Sequence, residues 1–277
     1  MRSIACLVAV MSVLYMPSTA FGAAKTPDVK SGPSSSQMLQ CNSPDPSRAI
    51  IGCTAIIQSS GIADLKSAAY STRGLAYQKR GENDRAIADL DQAIAILPKS
   101  ANAFRSRGDF YQFQGEYDRA LEDYNQTIAI DPKDGEAFNQ RANTYLLKDD
   151  PMRAFPDYEK AIALNPKSVV AYANRGEAYR VQGDDDRAIQ DFNTAIKLDA
   201  KFATAFVSRG IAEADKGDLP QAIGDFTEAI KLNPKLISAY DQRASAYEQT
   251  GAHDRALADI AQAIKLDPGN ASSHRLQ

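Results

Sequence analysis

The sequence predicts an all-α protein built from six tandem copies of a 34-residue block over 67–270. The first observation is the spacing, because an aromatic residue, an Arg, a small residue and an Ala return at positions 4, 7, 8 and 20 of every block without a shift. The second is that apolar residues recur at three- and four-residue intervals in two stretches of each block, as in amphipathic helices. A fixed period of this length indicates a repeat array.

Each block reads as two helices with a turn between them. The blocks are 67–100, 101–134, 135–168, 169–202, 203–236 and 237–270. A Gly at position 15 ends the first helix in five blocks, where it suits a left-handed terminus, and a Pro at position 32 stops the second helix in five. Position 20 is always Ala, so that the two backbones can approach. The aromatic at position 4 is Tyr70, Phe104, Phe138, Tyr172, Phe206 or Tyr240.

These residues resemble the tetratricopeptide repeat family, whose members carry an aromatic and small residues in a first helix and Ala, an aromatic and Ala in a second. The resemblance implies a right-handed α-solenoid of six helix-turn-helix repeats. It also implies a non-enzymatic scaffold that binds a peptide or protein segment in the concave groove. The alternative is a self-associating protein, or an envelope-assembly or secretion accessory in the periplasm. The sequence does not identify the partner.

The segment before the repeats predicts a cap and a linker. Within 44–66, Arg48-Ala49-Ile50 matches Arg85-Ala86-Ile87 of the first block, which predicts a lone second helix that acts as an N-terminal half-repeat cap. A solenoid needs such a cover because a terminal repeat otherwise leaves one face bare. The Ser-, Gly- and Pro-rich stretch over 23–43 predicts a flexible linker. The last residues, 271–277, predict a truncated C-terminal stub.

The N-terminus predicts export. A positive start at Arg2 precedes an apolar run over 4–16 that is short for a membrane span, and small residues follow. We therefore expect a signal peptide over 1–22, with cleavage after Gly22 or Ala24, and a bacterial periplasmic location; the alternative is an uncleaved anchor. In an exported chain the close pair Cys41 and Cys53 favours a disulfide over a metal site, because no His or third Cys lies nearby.

Charge and composition argue against several classes of function. The formal net charge of −3 gives no general attraction to nucleic acid or anionic lipid, and we expect no nucleic-acid partner. His253 falls in a repeat turn and His274 in the terminal stub. No nucleophile–base arrangement, phosphate loop or metal-ligand spacing stands apart from the repeats. The sequence thus predicts no catalytic residue, no metal and no cofactor.

A charged pair recurs in every block, with Arg at position 7 and Asp at position 23. We expect each Arg to bond an Asp of the same or the preceding repeat, where a partly buried bidentate pair would fix the helix register. The alternative is a solvated stripe of little energetic value. The residues are Arg73, Arg107, Arg141, Arg175, Arg209 and Arg243, with Asp89, Asp123, Asp157, Asp191, Asp225 and Asp259.

The family resemblance also implies candidate groove residues, which are first-helix residues outside the packing set. They are Arg105, Asp109, Gln112, Asn139, Asn143, Asn174, Glu177, Arg180, Asp241 and Glu248. Some family members grip a peptide carboxylate with a Lys/Asn/Arg clamp. The basic half of that clamp is missing here, since Thr204 and Ser208 stand at two of its places and Asn139 replaces the first Lys. An extended or helical peptide remains the expected ligand, and an ordinary polar surface is the alternative.

Two blocks depart from the pattern. The third has Asp149-Asp150-Pro151 at its turn, and Pro156 inside its second helix is expected to kink that helix. The fifth has Glu213 where the other blocks have Tyr, and Pro220 in a first helical turn, where it is harmless. These departures mark either a bend or partner-facing site, or drift in weaker repeats.

Overall fold

The structure, a computed structural model, describes residues 33–269, and this part of the chain contains fourteen α-helices and no β-strand. The helices are α1 (Ser35–Cys41), α2 (Pro46–Ser59), α3 (Ala63–Lys79), α4 (Asn83–Ile96), α5 (Ala101–Phe113), α6 (Tyr117–Ile130), α7 (Gly135–Leu147), α8 (Pro151–Leu164), α9 (Val169–Val181), α10 (Asp185–Leu198), α11 (Ala203–Asp215), α12 (Leu219–Leu232), α13 (Ile237–Gln249) and α14 (His253–Leu266). The all-α prediction is confirmed.

The helices form two compact units, one with α1–α8 and the other with α9–α14. In each unit the two helices of a block pack against each other, and the second helix also packs against the first helix of the next block. First helices of neighbouring blocks contact each other as well, α3 with α5 and α5 with α7 in one unit, and α9 with α11 and α11 with α13 in the other. We call the side of a unit that these helices share its first-helix side.

The turn inside each block depends on one residue with a left-handed backbone. Five blocks place Gly there, at Gly81, Gly115, Gly183, Gly217 and Gly251, with φ between 75° and 88°. The third block places Asp149 there, with φ of 59°, the one positive value among non-glycine residues of the described chain. A side chain in this region is strained, so the third turn folds at a cost that the glycine turns avoid.

The core of each helix pair is a large side chain at position 24 that packs against position 8. Leu90, Tyr124, Tyr158, Phe192, Phe226 and Ile260 are all at most 1% exposed. Opposite three of the aromatics position 8 is Gly, and a Cβ added at Gly108, Gly176 or Gly210 would meet a ring carbon at 2.7–2.8 Å. The small residue is therefore required by the ring that it faces.

The fifth block lacks an Arg–Tyr stack that the other five blocks contain. In the other five blocks the Arg at position 19 lies over the Tyr at position 11, with its Cζ 3.8–5.7 Å from the ring centroid. The fifth block has Glu213 and Gln221 at these two positions, so both partners of the stack are replaced together. Burial raises the pKa of Glu213, which is what a carboxylate in the place of a packed ring should show.

The helix expected in the capping segment over 44–66 is α2, and a further helix, α1, packs against it. The linker expected over 23–43 does not extend through its described part, because α1 forms over Ser35–Cys41, where Ser34 caps it and Gln37 completes a capping box. A disulfide joins Cys41 of α1 to Cys53 of α2. The two backbones come so close that a Cβ at Gly52 would lie 2.3 Å from the Cys41 amide nitrogen. In addition, α3 begins at Ala63, four residues before the first block.

The two prolines that depart from the repeat pattern both lie in continuous helices, and the expectations for the chain ends fall outside the described residues. Helix α8 runs without interruption from Pro151 to Leu164 through Pro156. Pro220 lies in the first turn of α12, where backbone N–H groups have no acceptor within the helix, so the lack of an N–H costs no hydrogen bond. The signal peptide over 1–22, the start of the linker and the stub over 271–277 lie outside the described residues. Within 33–269 no helix is long and apolar enough to cross a membrane.

Candidate binding surface on the first helices

In the first unit, the candidate residues of two neighbouring first helices form one hydrogen-bonded set. The Gln112 side-chain amide of α5 donates to the Gln140 carbonyl oxygen at 3.2 Å and to Thr144 Oγ1 at 2.7 Å, both on α7. The Gln140 amide of α7 donates back to Asp109 Oδ1 at 3.5 Å. Asn139 and Asn143 donate to Gln140 Oε1 at 3.3 and 3.0 Å. We call Asp109, Gln112, Asn139, Gln140 and Asn143 the amide cluster.

Tyrosine hydroxyls of the second helices donate hydrogen bonds to two members of this cluster. Tyr124 donates to Asp109 Oδ1 at 2.8 Å, and Tyr158 donates to Asn143 Oδ1 at 2.5 Å. Each bond joins position 24 to position 9 of the same block. The other four blocks have Leu, Phe, Phe and Ile at position 24, which carry no hydroxyl. The two Tyr residues thus orient the two polar side chains, and Gln140 links them.

Sequence reasoning missed Gln140, Thr144 and the two Tyr hydroxyls. The family pattern has an aromatic packing residue in the second helix, so it gives no reason to expect a polar role for the Tyr at position 24. Their pairing with a polar residue fifteen places earlier was the available signal, since Asp109 and Asn143 occupy position 9 in the two blocks that have Tyr at position 24. Arg105, which was predicted, bonds Asn102 on its own helix and Glu136 on α7.

In the second unit, the candidates are charged rather than amide-rich. Glu177 and Arg180 of α9 form an ion pair with an O–N distance of 2.5 Å, and both side chains are buried. Arg180 Nη1 also lies 3.4 Å from Asp215 Oδ2 on α11. Asn174, on the same helix, is buried, and Asp241 of α13 is half-buried. Glu248 is exposed at the end of α13, where it contacts His253 at 3.0 Å rather than the other candidates.

The Arg–Asp ladder forms within repeats. Each Arg at position 7 donates Nε and Nη2 to the two carboxylate oxygens of the Asp at position 23 of its own block, at 2.6–2.9 Å. The six Asp side chains are at most 10% exposed. These carboxylates raise the pKa of all six guanidinium groups above its ordinary value.

The arginines of the ladder also reach the preceding second helix. Arg107 Nη1 donates to Asp91 at 2.7 Å, Arg141 Nη1 to Asn125 at 2.6 Å and Arg209 Nη1 to Asn193 at 2.5 Å. Arg243 does the same to Thr227 at 2.9 Å. One guanidinium therefore fixes the first helix against two second helices, which sets the register between blocks as well as within them.

Two cavities of the described chain lie at the turns inside blocks, away from the amide cluster. One, of about 570 Å³, is lined by Gly183, Asp184, Asp186 and Lys216 among others, and its Lys216 bonds Asp186 at 2.6 Å. Arg187 lowers the pKa of Asp184, and Asp186 raises that of Lys216, as paired surface charges do. Its lining holds no nucleophile with a base beside it. Across 33–269 no group of three His, Cys, Asp or Glu side chains could hold a metal ion.

Comparisons with known proteins agree with this architecture. Four tetratricopeptide repeat models match, over 65–133, 123–155, 169–202, and 186–237 with 207–271. The chain belongs to the tetratricopeptide repeat family, whose members typically serve as non-enzymatic scaffolds that bind proteins or peptides. It matches no curated protein sequence.

Solved structures with the same fold cover most of the chain. A tetratricopeptide repeat protein from Parabacteroides merdae ATCC 43184 is 20% identical, covers 87% of this chain and 94% of its own, and superposes with a TM-score of 0.68. MamA is 27% identical over 58% of this chain and 94% of its own, with a TM-score of 0.51. PilW, a type IV pilus biogenesis factor, is 21% identical over 76% of this chain and 97% of its own, with a TM-score of 0.68.

Proposed function

We propose that this chain is a non-enzymatic scaffold that binds an extended segment of another protein along the first-helix side, with the amide cluster of the first unit as its main contact. The observation that carries the proposal is that Gln140 draws polar side chains of α5 and α7 into one ordered set. A side-chain amide offers a donor and an acceptor together, as a peptide backbone does. Such a set suits an extended segment of little sequence specificity.

Pre-organisation supports this function. The Tyr hydroxyls and Gln140 fix the amide and carboxylate groups before any ligand arrives, so that binding loses less side-chain entropy. The half-buried Asp109 and Gln112 are the members of the cluster that present most surface. The charged set on α9 would add an electrostatic preference in the second unit.

The experiment is selection of a binding peptide from a random library, followed by calorimetric titration of matched variants. Gln112→Ala removes a cluster amide from the first helix of the second block, and Gln126→Ala removes an exposed amide from the second helix of the same block. We expect Gln112→Ala to weaken binding about tenfold, the value of one hydrogen bond. Gln126→Ala should bind as the parent does, and equal losses in both variants would contradict the proposed surface.

We propose further that the chain works outside the cytoplasm, in the periplasm. The buried Cys41–Cys53 disulfide supports this location, because such bonds persist in oxidising compartments. Fusion of alkaline phosphatase, which is active only after export, to residue 277 tests the location. Activity that disappears when residues 1–22 are deleted is expected, and activity independent of them, or none at all, would contradict it.

A further inference from the structure

The turns between blocks carry a concentration of lysines in the second unit that the whole-chain charge conceals. Six exposed lysines lie at positions 29 and 33, and we call them the lysine edge. They are Lys167, Lys197, Lys201, Lys231, Lys235 and Lys265. The same turns, over 165–169, 197–203, 231–237 and 265–269, contain two acids, Asp199 and Asp267. The edge is therefore strongly basic although the chain is acidic overall.

The turn geometry places the three lysines at position 33, Lys167, Lys201 and Lys235, at the tips, and the three at position 29 lie in the last turn of the second helices α10, α12 and α14. Asn165 and Asn233 accept the backbone N–H of Lys167 and Lys235 with their side-chain oxygens, at 3.2 and 3.1 Å. Asp199 does the same for Lys201 at 2.9 Å. Each Asx turn commits one oxygen at position 31 to the backbone and directs the chain so that position 33 follows at the tip. The acids of the edge are thus engaged in the turns themselves.

The lysines have few charged partners. Within 33–269 only Lys231 among the six forms an ion pair, with Glu228 on its own helix at 3.1 Å. Lys148 and Lys216, on the opposite turns, are by contrast bonded to Asp118 and Asp186. Unpaired like charges on neighbouring turns repel one another, so an anionic surface that meets several of them gains more than one that meets a single lysine.

The first unit provides the comparison within the same fold. Its turns carry Lys99 and Lys133 at position 33, but position 29 is Ala in all three of its blocks. Asp131, Asp134 and Glu136 lie within three residues of Lys133 in the sequence, and Asp134 and Glu136 pair with Arg105. The same edge is therefore close to neutral in the first unit, so the lysine edge is not a requirement of the fold.

We propose that the lysine edge docks on the anionic phospholipid headgroups of a membrane surface. Leucines accompany the lysines at the end of each second helix, as Lys197-Leu198, Lys231-Leu232 and Lys265-Leu266, and Leu198 is 38% exposed. A lysine with an accessible leucine suits the boundary between headgroups and acyl chains. Nucleic-acid phosphates would gain nothing from the leucine, so a lipid surface fits better. The edge lies at the turns, which leaves the proposed amide cluster to a separate ligand.

The test is flotation with vesicles, using the chain from residue 23 onward. This chain keeps every described residue and leaves out the apolar run over 4–16, which would itself partition into lipid. We expect binding to vesicles of equal parts phosphatidylglycerol and phosphatidylcholine at low salt, release at high salt, and no binding to phosphatidylcholine alone.

Two variants of equal charge locate the contact. The triple change Lys197→Glu, Lys201→Glu and Lys235→Glu reverses three lysines of the edge that form no ion pair within the described residues. The control Lys99→Glu, Lys133→Glu and Lys160→Glu makes the same change in net charge at exposed lysines of the first unit. We expect the first triple to weaken the partition coefficient about tenfold or more, and the control about twofold or less.

Three outcomes would overturn the proposal. They are equal loss in the two triples, equal binding to neutral and anionic vesicles, and no flotation at low salt. If the chain does not bind vesicles but binds DNA through the same lysines, the edge is a nucleic-acid surface and the lipid assignment is wrong. Circular dichroism melting of each triple checks that the exchanged surface residues leave the fold intact.

Discussion

The disulfide between Cys41 and Cys53 occupies the positions that a side-chain hydrogen bond joins in the second and third blocks. Those bonds link position 24 to position 9, as Tyr124 to Asp109 and Tyr158 to Asn143. When α1 and α2 are aligned on the blocks with a three-residue deletion, Cys41 takes position 9 and Cys53 position 24. Thr54 then takes position 25, and it accepts Arg73 Nη1 at 2.9 Å as position 25 does in later blocks. The first helix pair is thus a shortened repeat in which a disulfide replaces the aromatic core.

Removing this disulfide should loosen the first helix pair. Without it, α1 has seven residues and Cys41 as its one buried side chain, so we expect Cys41→Ser with Cys53→Ser to lose about 3 kcal/mol of local stability. Hydrogen exchange of α1 and α2 measures the loss. Reductant should have the same effect on the parent chain and none on the double variant. Unchanged protection of α1 would show that packing alone holds it.

The ladder prediction concerns one buried carboxylate. Asp157→Asn keeps the shape but leaves the Arg141 guanidinium, with its side chain 19% exposed, without its counter-charge, so we expect a loss of about 2–3 kcal/mol. Urea unfolding measures it. The control is Glu228→Gln in an exposed pair with Lys231, which should change stability by less than about 0.5 kcal/mol. Equal losses of stability in the two variants would show that the Arg–Asp pairs contribute no more than exposed ion pairs do.

The third turn offers a stabilising change. Asp149→Gly supplies the residue that the five equivalent turns use at positive φ, and we expect a gain of about 0.5–1 kcal/mol from relief of strain. The reverse change, Gly183→Asp, should lose a similar amount. Thermal melting of the pair tests the sign. A destabilised Asp149→Gly variant would mean that the Asp side chain makes a contact worth more than the strain.

The fifth block should accept the missing stack. Glu213→Tyr together with Gln221→Arg restores the pairing of positions 11 and 19, and we expect about 1 kcal/mol of stabilisation from the cation–π contact. Each single change should give clearly less than half of the total, because neither provides both partners. A double-mutant cycle by urea unfolding measures the coupling. Additive single effects would show that no stack forms.

The pH dependence of the same site follows from burial. Since burial raises the pKa of Glu213, the folded state favours its neutral form, so the stability it contributes is present at low pH and is lost as pH rises through the folded pKa. Glu213→Gln should therefore match the parent near the acid end and become the more stable protein toward neutral pH. Parallel stability curves for the two proteins would contradict this sign.

The sequence was sufficient for the helix pairs and for the recurring Arg–Asp pairs, and insufficient for the hydrogen bonds that join the groove candidates. The return of Ala at position 20 and Gly at position 15 predicts the second helices and turns, because both residue types answer a backbone requirement that recurs. Helix α1 was missed because its Ser-rich composition resembles a linker and because it is joined to α2 by a disulfide that carries no helical pattern. Four members of the amide cluster were predicted as groove residues, but Gln140 and the hydrogen bonds that join them were missed, because these bonds link side chains of different helices and carry no periodic signal.

The most direct test of the proposed function is the NMR spectrum of the side-chain NH₂ groups with and without a selected peptide. We expect the signals of Gln112, Gln140 and Asn143 to shift on saturation, and the signal of Gln126, on the second helix of the block that contains Gln112, to stay in place. Shifts at Gln126 with an unchanged amide cluster would contradict the claim that the first-helix side binds the partner.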